Sequence, residues 1–295
     1  MIHYTGCPVC NSKHVALSLT ASDHTVTGQS FPVWKCDNCT LMFTQDVPAQ
    51  GSIGAYYVSE NYISHSDTRK GLVNKLYHTV RKRTLASKLK LVIHETGLTQ
   101  GNMLDIGRGT GAFLHTMKKA GWNVTGIEPD EQARAKASAN YGLETLPASE
   151  LFNLSAGRFN AITMWHVLEH VHQLHEYVAQ LKKLLAPGGK LFIAVPNYTS
   201  YDAGNYRENW AAYDVPRHLY HFSPQSMNVL MKLHGLSVLN IKPMWFDSFY
   251  VAMLSEQYKN NKGNLVRAGM IGLLSNMKTI FNRQRCSSVI YVISA

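Results

Sequence analysis

Apolar and polar positions follow two different patterns along this chain, and the change of pattern separates an N-terminal segment from a larger second part. In the first fifty residues the apolar positions recur every second residue, at Val15, Leu17 and Leu19 and again at Phe31 and Val33. This period of two predicts β-strands. A segment of this size buries too little surface to fold unaided.

From Gly101 onward, short apolar runs alternate with longer segments of helical periodicity. The runs predict strands that read NMLDI, NVTGIE, LETLPA, NAITMW and KLFIAV. The intervening segments predict helices that end at Gly121, at Gly142 and at the LAPGG motif. This alternation predicts an α/β fold with a doubly wound parallel sheet. Ligands of such sheets bind beyond the carboxyl ends of the strands.

Residues 49–100, between these two parts, are predicted to form a helical linker or cap. Leu72, Leu76 and Val80 recur at helical spacing within a predicted helix from Asp67 to Glu95. The polar face of this helix carries many lysine and arginine residues. That face either contacts RNA or is a solvated helix face.

The N-terminal strands are flanked by two CxxC pairs, which consist of Cys7, Cys10, Cys36 and Cys39. In a reducing compartment such pairs indicate a metal rather than disulfides. Four thiolates at this spacing surround one Zn²⁺ ion tetrahedrally, and its binding contributes on the order of 10 kcal/mol to folding. We therefore predict a structural zinc ribbon over residues 1–48. A redox role for either pair is the alternative.

The composition is ordinary for a soluble globular protein, with 45% hydrophobic residues among 295. No apolar run approaches the ~18 residues of a membrane span. The N-terminus lacks the charged-then-apolar pattern of a secretion signal, so a cytoplasmic location is expected. A net charge of +10 indicates either an anionic partner, such as RNA or a phosphorylated metabolite, or a solvated basic surface.

The first strand of the α/β domain runs into a glycine-rich loop with the sequence LDIGRGTG. Gly107, Gly109 and Ala112 match a dinucleotide-binding pattern, and Glu128 lies about 20 residues further on. That match alone permits an NAD-dependent enzyme. Two features favour a different kind of nucleotide-binding loop. The acidic Asp105 precedes the loop, and the loop contains a third glycine.

Several motifs follow this loop in order, and together they carry a family resemblance. The motifs are LDIGRGTG, GIEPD, MWHVLEHV, LAPGGKLFIAVPN and RHLYHFSPQSMNVLMKLHG. They resemble the class I S-adenosylmethionine-dependent methyltransferases, in particular a branch with an N-terminal zinc-binding segment. The core is similar to sugar C-methyltransferases and ubiquinone-type O-methyltransferases. The resemblance implies a seven-stranded Rossmann-like sheet over residues 101–295, with an antiparallel last pair, and S-adenosylmethionine as cofactor.

The resemblance also implies roles for individual residues of the cofactor site. Asp105 would hold the loop and the methionine ammonium group, and Glu128 would accept bonds from both ribose hydroxyls. Ser149 stands near the adenine amine, where the family often has an acid or amide. Arg108 either meets the cofactor carboxylate or faces solvent. The predicted cofactor residues are Asp105, Gly107, Arg108, Gly109, Gly111, Glu128, Pro129, Ser149 and His166.

The HVLEH motif, from His166 to His170, formally matches the H-x-x-E-H pattern of zinc peptidases. A strand runs straight into it here, whereas a peptidase site requires both histidines on one long helix. In the methyltransferase frame His166 lies at the end of the strand, close to the transferring methyl group. A histidine that titrates near neutral pH suits a general base. We predict His166 for this role, with His218 as the second candidate.

Two segments, 197–223 and 248–284, are predicted to form lid insertions, because long insertions at this sheet edge commonly cover substrates. Arg217 either binds an anionic group of the substrate or pairs with Asp214. The candidate substrate residues are Asn197, Tyr201, Trp210, Tyr213, Arg217 and His221.

The sequence therefore predicts methyl transfer from S-adenosylmethionine to a small-molecule acceptor, which is a sugar, quinone-like or lipid-linked compound. An RNA methyltransferase that uses the zinc ribbon and the basic surface is the alternative. A catalytically inactive, cofactor-binding interaction protein is a second alternative. The acceptor, the methylated atom and the oligomeric state stay open at this point.

Overall fold

The structure, a computed structural model, describes residues 1–57, 72–107, 109–260 and 262–295. Within these ranges the strands are β1 (Val15–Ser22), β2 (Ser30–Cys36), β3 (Met42–Thr44), β4 (Asn102–Ile106), β5 (Asn123–Ile127), β6 (Thr145–Leu146), β7 (Phe159–Trp165), β8 (Leu185–Pro196), β9 (Tyr220–His221), β10 (Ser237–Pro243) and β11 (Ser288–Ser294). The helices are α1 (Leu72–Thr96), α2 (Ala112–Lys119), α3 (Glu131–Tyr141), α4 (Leu174–Leu184), α5 (Tyr201–Tyr206), α6 (Pro224–Leu233), α7 (Asp247–Asn260) and α8 (Leu265–Phe281).

The larger sheet in the described part of the chain has seven strands in the order β10-β11-β8-β7-β4-β5-β6. Strands β4 to β8 pair in parallel, whereas β11 is antiparallel to both of its neighbours. The predicted α/β fold with a seven-stranded Rossmann-like sheet is confirmed. The strand order changes direction between β4 and β7, so the loops after these two strands flank the position where such sheets bind ligands.

Some predicted ends of helices and strands match the structure and others differ. Gly142 directly follows α3, adopts the left-handed conformation (φ 59°) and closes the helix as predicted. Strand β8 begins at Leu185, five residues before the predicted start. The extension is possible because Gly189 passes close to β7, where an added Cβ would lie 2.8 Å from the carbonyl oxygen of Phe159. Only glycine fits such a close approach.

The smaller sheet joins the N-terminal segment to the predicted lid. Its strand order is β1-β2-β3-β9, and β9 lies within the segment 197–223. Phe43 pairs with Tyr220 and Met42 with His221 in the antiparallel ladder between β3 and β9. The ribbon predicted over residues 1–48 therefore completes its sheet with a strand from the lid, because β3 would otherwise present unpaired backbone groups at an edge.

The second predicted insertion, 248–284, consists largely of the helices α7 and α8. They pack against each other, and Asn264 caps α8 by accepting a hydrogen bond from the backbone N–H of Arg267. A search of the described residues for a helix with the length and apolarity to cross a bilayer finds none.

Candidate active site and the four-cysteine cluster

The four cysteines of the CxxC pairs converge at one end of the small sheet. The sulfur atoms of Cys7 and Cys39 are 3.4 Å apart, those of Cys10 and Cys36 are 3.6 Å apart, and all four lie within 4.8 Å of one another. Four sulfurs at ~2.3 Å from a tetrahedral Zn²⁺ would be about 3.8 Å apart. Disulfide-bonded sulfurs would be ~2.05 Å apart. The arrangement is compatible with a zinc ribbon.

The glycine loop after β4 has the backbone that a closely bound cofactor requires. Gly107, Gly109 and Gly111 all have positive φ, at 67°, 53° and 82°. A Cβ at Gly107 would lie 2.3 Å from the Cγ2 of Val167, because the loop after β7 packs directly on this loop. A Cβ at Gly109 would meet nothing within 4 Å. The loop thus offers an open backbone surface, and Arg108 within it lies outside the described residues.

Glu128, directly after β5, holds its carboxylate against this loop. The side chain is 7% exposed. One oxygen accepts a hydrogen bond from the N–H of Gly109 at 2.8 Å, and the other accepts one from the N–H of Asp130 at 3.1 Å. Each carboxylate oxygen offers two acceptor positions. These contacts therefore fix the carboxylate where it is suited to accept the two hydroxyls of a ribose.

Two other predicted cofactor residues lie on the surface near Glu128. Pro129 is exposed, and its carbonyl oxygen, like that of Glu128, accepts a hydrogen bond from Nη1 of Arg134 at 2.8 Å. Ser149 is exposed in the turn after β6. Sequence reasoning missed Arg134, which fixes the backbone after Glu128 from the first turn of α3.

Asp105 is buried within β4, where it accepts a hydrogen bond from Oγ1 of Thr163 at 2.6 Å. Lys88 of α1 reaches toward it, and the Lys88 ammonium lies 3.9 Å from the centroid of the Trp165 ring. Burial lowers the pKa of Lys88 to about 8, although the carboxylates of Asp105 and Asp247 act in the opposite direction. Asp105 therefore lies in a charged site that the ammonium group of Lys88 also faces.

His166 follows β7 and connects two carboxylates. Its Nε2 lies 3.2 Å from Oδ2 of Asp247, and its Nδ1 lies 3.4 Å from Oε1 of Glu169. Burial would lower the pKa of His166, but the bonds to Asp247 and Glu169 outweigh it and raise the pKa to about 10. A raised pKa favours the protonated imidazolium, whereas a general base must be unprotonated, so the role of His166 as base stays a prediction.

His218, in the segment 197–223, lies close to the carboxylate of Glu169, which His166 also contacts. Glu169, His170 and His218 have potential ligand atoms within 4.8 Å of one another, and the rings of His170 and His218 are 4.5 Å apart. Nδ1 of His218 lies 2.9 Å from the carbonyl oxygen of Ala212. A carbonyl only accepts, so Nδ1 carries a proton and Nε2 is the nitrogen that faces away from this bond. The structure brings both predicted catalytic histidines to Glu169.

His170 is held neutral between these groups. Burial and the nearby His218 lower the pKa of His170 to about 4. Its Nδ1 lies 3.1 Å from the carbonyl oxygen of Arg217 and 3.0 Å from the hydroxyl of Tyr57. His170 is therefore a neutral, hydrogen-bonded side chain that packs beside Glu169 and His218.

Most of the predicted substrate residues lie inside the lid rather than on its surface. Asn197 is fully buried, and its amide donates to the carbonyl oxygens of Gln284 and Cys286. Trp210 is 1% exposed and donates from Nε1 to Asp202. Tyr213 and His221 are buried in ring-to-ring contact, and Tyr201 packs at the edge of the same apolar cluster. These side chains pack the interior of the segment 197–223, and their roles as substrate contacts stay predictions.

Arg217 is committed to partners within the protein. Its guanidinium bonds Asp214 at 2.6 Å and Asp23, in the turn after β1, at 2.9 Å. It also donates to the carbonyl oxygen of Tyr56. The pairing with Asp214, one of the two alternatives that the sequence left open, is present. The ion pairs tie the ribbon to the lid.

We expect Arg217→Met to lower the free energy of unfolding by about 3–5 kcal/mol, because it leaves buried carboxylates without their cation. Urea unfolding of the purified protein measures this. The exposed Arg283→Met is the matched control and is expected to stay within about 0.5 kcal/mol of the parent. Adding Asp23→Asn to Arg217→Met should recover part of the loss. Equal stability of Arg217→Met and the control would contradict the interpretation.

Besides Arg134, two further residues of the site escaped sequence reasoning, Lys88 and Asp247. Lys88 lies one turn before the fully buried Val92 and so shares its inward face. That spacing was a usable signal within the predicted helix. Asp247 lies 81 residues from its partner His166, and no local pattern connects the two.

Comparison with known proteins agrees with this geometry. A family model described as a methyltransferase domain matches residues 77–241, which is just over half of the chain. C-methyltransferase NovU of Streptomyces niveus is 29% identical over 158 residues, which cover 51% of this chain and 36% of NovU. A ubiquinone biosynthesis O-methyltransferase of Caulobacter sp. strain K31 is 35% identical over 104 residues, 33% of this chain and 41% of that protein. The matches thus span less than half the length of these two relatives.

Solved structures show the same fold at low sequence identity. A SAM-dependent methyltransferase from Archaeoglobus fulgidus aligns with a TM-score of 0.51 at 18% identity, covering 73% of this chain and 94% of that one.

The seven-stranded sheet with an antiparallel strand inserted, its glycine loop and the acid after β5 define an α/β protein with a candidate ligand site at the point where the strand order changes direction. The chain belongs to the methyltransferase domain family, whose model matches more than half of it.

Proposed function

We propose that this protein transfers a methyl group from S-adenosylmethionine to a small-molecule acceptor. The observation that carries the proposal is the position of Glu128, whose carboxylate is anchored against a loop of three left-handed glycines. The family membership and the names of the relatives, a C-methyltransferase and ubiquinone O-methyltransferases, support it. An acceptor that is a sugar, a quinone-like compound or a lipid-linked compound fits these relatives.

The residues around the loop fit the cofactor. Glu128 would accept the ribose hydroxyls, the glycines would allow close backbone approach, and Asp105 would hold the methionine ammonium group at the site that Lys88 also faces. When bound, the cofactor supplies a methyl group activated by a positively charged sulfur. The protein's task is alignment, which contributes up to ~7–11 kcal/mol in well-oriented reactions.

His218 is the best placed general base for an acceptor that must lose a proton. Its Nδ1 donates to the carbonyl oxygen of Ala212, so Nε2 is the nitrogen that would take the proton. After taking a proton, the ring would be stabilised by the carboxylate of Glu169 and by Asp214, whose Oδ2 lies 3.9 Å from Nε2. His166 instead acts as a fixed positive charge that orients Glu169 and Asp247.

We also propose that Cys7, Cys10, Cys36 and Cys39 bind one structural Zn²⁺. The separations between their sulfurs support this, and three of the four residues are at most 1% exposed. A site closed by four thiolates offers no open coordination position, so the ion would stabilise the fold and take no part in the reaction.

We expect Glu128→Gln to weaken S-adenosylmethionine binding by about 10- to 100-fold, because a carboxylate binds hydroxyls more strongly than an amide does. Gln retains an acceptor for the N–H of Gly109, so the loop should stay folded. Isothermal titration calorimetry measures the affinity. Glu144→Gln, at an exposed position, is the control. If Glu128→Gln bound the cofactor as tightly as the control, the cofactor site would be misassigned.

The acceptor is found by incubating the purified protein and cell-extract fractions with cofactor carrying a radiolabelled methyl group. Label in a small-molecule or lipid fraction is expected. Label that appears in RNA would support the alternative of an RNA methyltransferase, and binding to bulk RNA would then fall steeply with salt.

A further inference from the structure

The helical hairpin of α7 and α8 leaves a large apolar surface uncovered. Helix α8 buries one side against the protein through Ala268, Ile271 and Ser275. Its opposite side is also apolar, and a helix that is apolar on all sides is normally buried on all sides. The exposed fractions there are Val266 76%, Met270 59%, Leu273 56%, Met277 48% and Ile280 69%.

Helix α7 extends this surface. Phe249 and Met253 of α7 are each exposed by 39%, and Phe246, which directly precedes the helix, is exposed by 44%. Their spacing of three and four residues puts them on one side. Phe249 packs against α8 at Gly272, where an added Cβ would lie 2.6 Å from the Phe249 ring. The two exposed rows therefore adjoin. We call them the hairpin face, which comprises Phe246, Phe249, Met253, Val266, Met270, Leu273, Met277 and Ile280.

The hairpin face is held in place by polar contacts beneath it. Ser248 bonds Asn276 across the two helices, and the Asn276 amide donates to the carbonyl oxygen of Trp245. Ser275 bonds the buried Asp202 of α5. These contacts fix the apolar rows on the surface. Contiguous apolar patches of this kind mark interaction sites in soluble proteins.

The charge around the hairpin face selects the kind of partner. Residues 257–295 contain no aspartate or glutamate. Their basic residues are all exposed, and they are Lys259, Lys262, Arg267, Lys278, Arg283 and Arg285. Arg267 pairs with the buried Glu256 of α7 at 3.1 Å, and the other basic side chains leave the surface apolar in its centre and cationic around it. A partner must offer apolar contact and negative charge together.

A second copy of this chain meets the first condition but not the second. If two α8 helices paired in antiparallel fashion, Arg267 of one would come close to Lys278 of the other. If they paired in parallel, each of these residues would meet its own copy. Like charges that face each other oppose association.

We propose that the hairpin face docks on an anionic lipid bilayer. Apolar side chains entering the boundary between headgroups and acyl chains, with lysine and arginine at the phosphates, form a surface of this type. Trp245, 41% exposed, lies beside the face and suits the same interface. Asp247, the first residue of α7, contacts His166, so the docked face would begin next to the candidate active site. The proposal does not depend on which acceptor is methylated.

Co-sedimentation of the purified protein with lipid vesicles tests this. We expect the parent to bind vesicles of phosphatidylcholine and phosphatidylglycerol in equal parts at least about tenfold more strongly than vesicles of phosphatidylcholine alone, with the difference reduced by salt. The variant Leu273→Glu/Met277→Glu should lose about tenfold in binding to the mixed vesicles. The variant Leu233→Glu/Leu239→Glu changes the charge equally at exposed leucines outside the face and should bind like the parent.

Cofactor affinity, measured by calorimetry on the same variants, shows whether each is folded and separates this test from that of the proposed function. Parent protein that stays in the supernatant with both vesicle types overturns the proposal, as does equal binding by the two double variants. A parent dimer in light scattering that Leu273→Glu/Met277→Glu converts to a monomer would assign the hairpin face to a second copy and also overturn it.

Discussion

Removal of Zn²⁺ from the four-cysteine cluster is expected to unfold the small sheet and to loosen the lid with it. Zinc binding to four thiolates contributes on the order of 10 kcal/mol to folding, which exceeds what a segment of this size gains from its own core. Strand β9 of the lid pairs with β3 of the ribbon, so the loss extends to the lid. Hydrogen exchange before and after treatment with a strong chelator should show increased exchange in β1, β2, β3 and β9.

Elemental analysis should find one zinc ion per chain in the purified protein. Cys36→Ser is expected to reproduce the effect of the chelator. Cys286→Ala removes the buried cysteine that lies outside the cluster and serves as the control. Zinc-free protein with unchanged exchange in β9, or cysteines that prove to be disulfide-bonded, would contradict the prediction and favour a redox role for the pairs.

Replacing His218 by alanine is expected to lower kcat by about 10²- to 10⁴-fold, the usual contribution of a general base. Cofactor affinity should change little, because the glycine loop follows β4 and Glu128 follows β5, whereas His218 lies close to Glu169, which follows β7. Turnover of the acceptor found by labelling measures the effect. His14→Ala, an exposed histidine of the ribbon, is the control.

The pH dependence distinguishes His218 from His166. His166 has a pKa of about 10 because of Asp247 and Glu169, after burial acts in the opposite direction, so it keeps its proton through the neutral range. If His166 were the base, kcat would rise with pH up to about 10, because the base must first lose its proton. Full kcat at neutral pH would therefore exclude His166 as the base. Full turnover by His218→Ala, together with loss in His166→Ala, would return the base role to His166.

The parts of the site that were predictable from the sequence are local in the chain. The positive φ angles of Gly107 and Gly109 favour glycine, so the loop could be predicted from its glycine content. Glu128 follows a strand of clear apolar pattern, and the four cysteines are paired by CxxC spacing. In each case the residues that act together are neighbours in sequence, or repeat a short motif whose geometry is known in advance.

The parts that were not predictable arise from packing between distant segments. Whether Arg217 pairs or binds a ligand depends on Asp23, which lies 194 residues away. The charge state of His166 depends on Asp247. Neither is encoded in periodicity or in a motif, because the pKa of a group is set by whatever the fold brings beside it.

The pairing of β3 with β9 also bears on how the chain is made. Thr44 bonds the backbone of His218 across 174 residues, so the ribbon leaves the ribosome long before its last strand exists. At ~5–20 residues per second this delay is roughly 9–35 s. During that time the edge of β3 is open to pairing with other chains. Early metal capture by the nascent ribbon would limit misassembly while the remaining strand is still being synthesised.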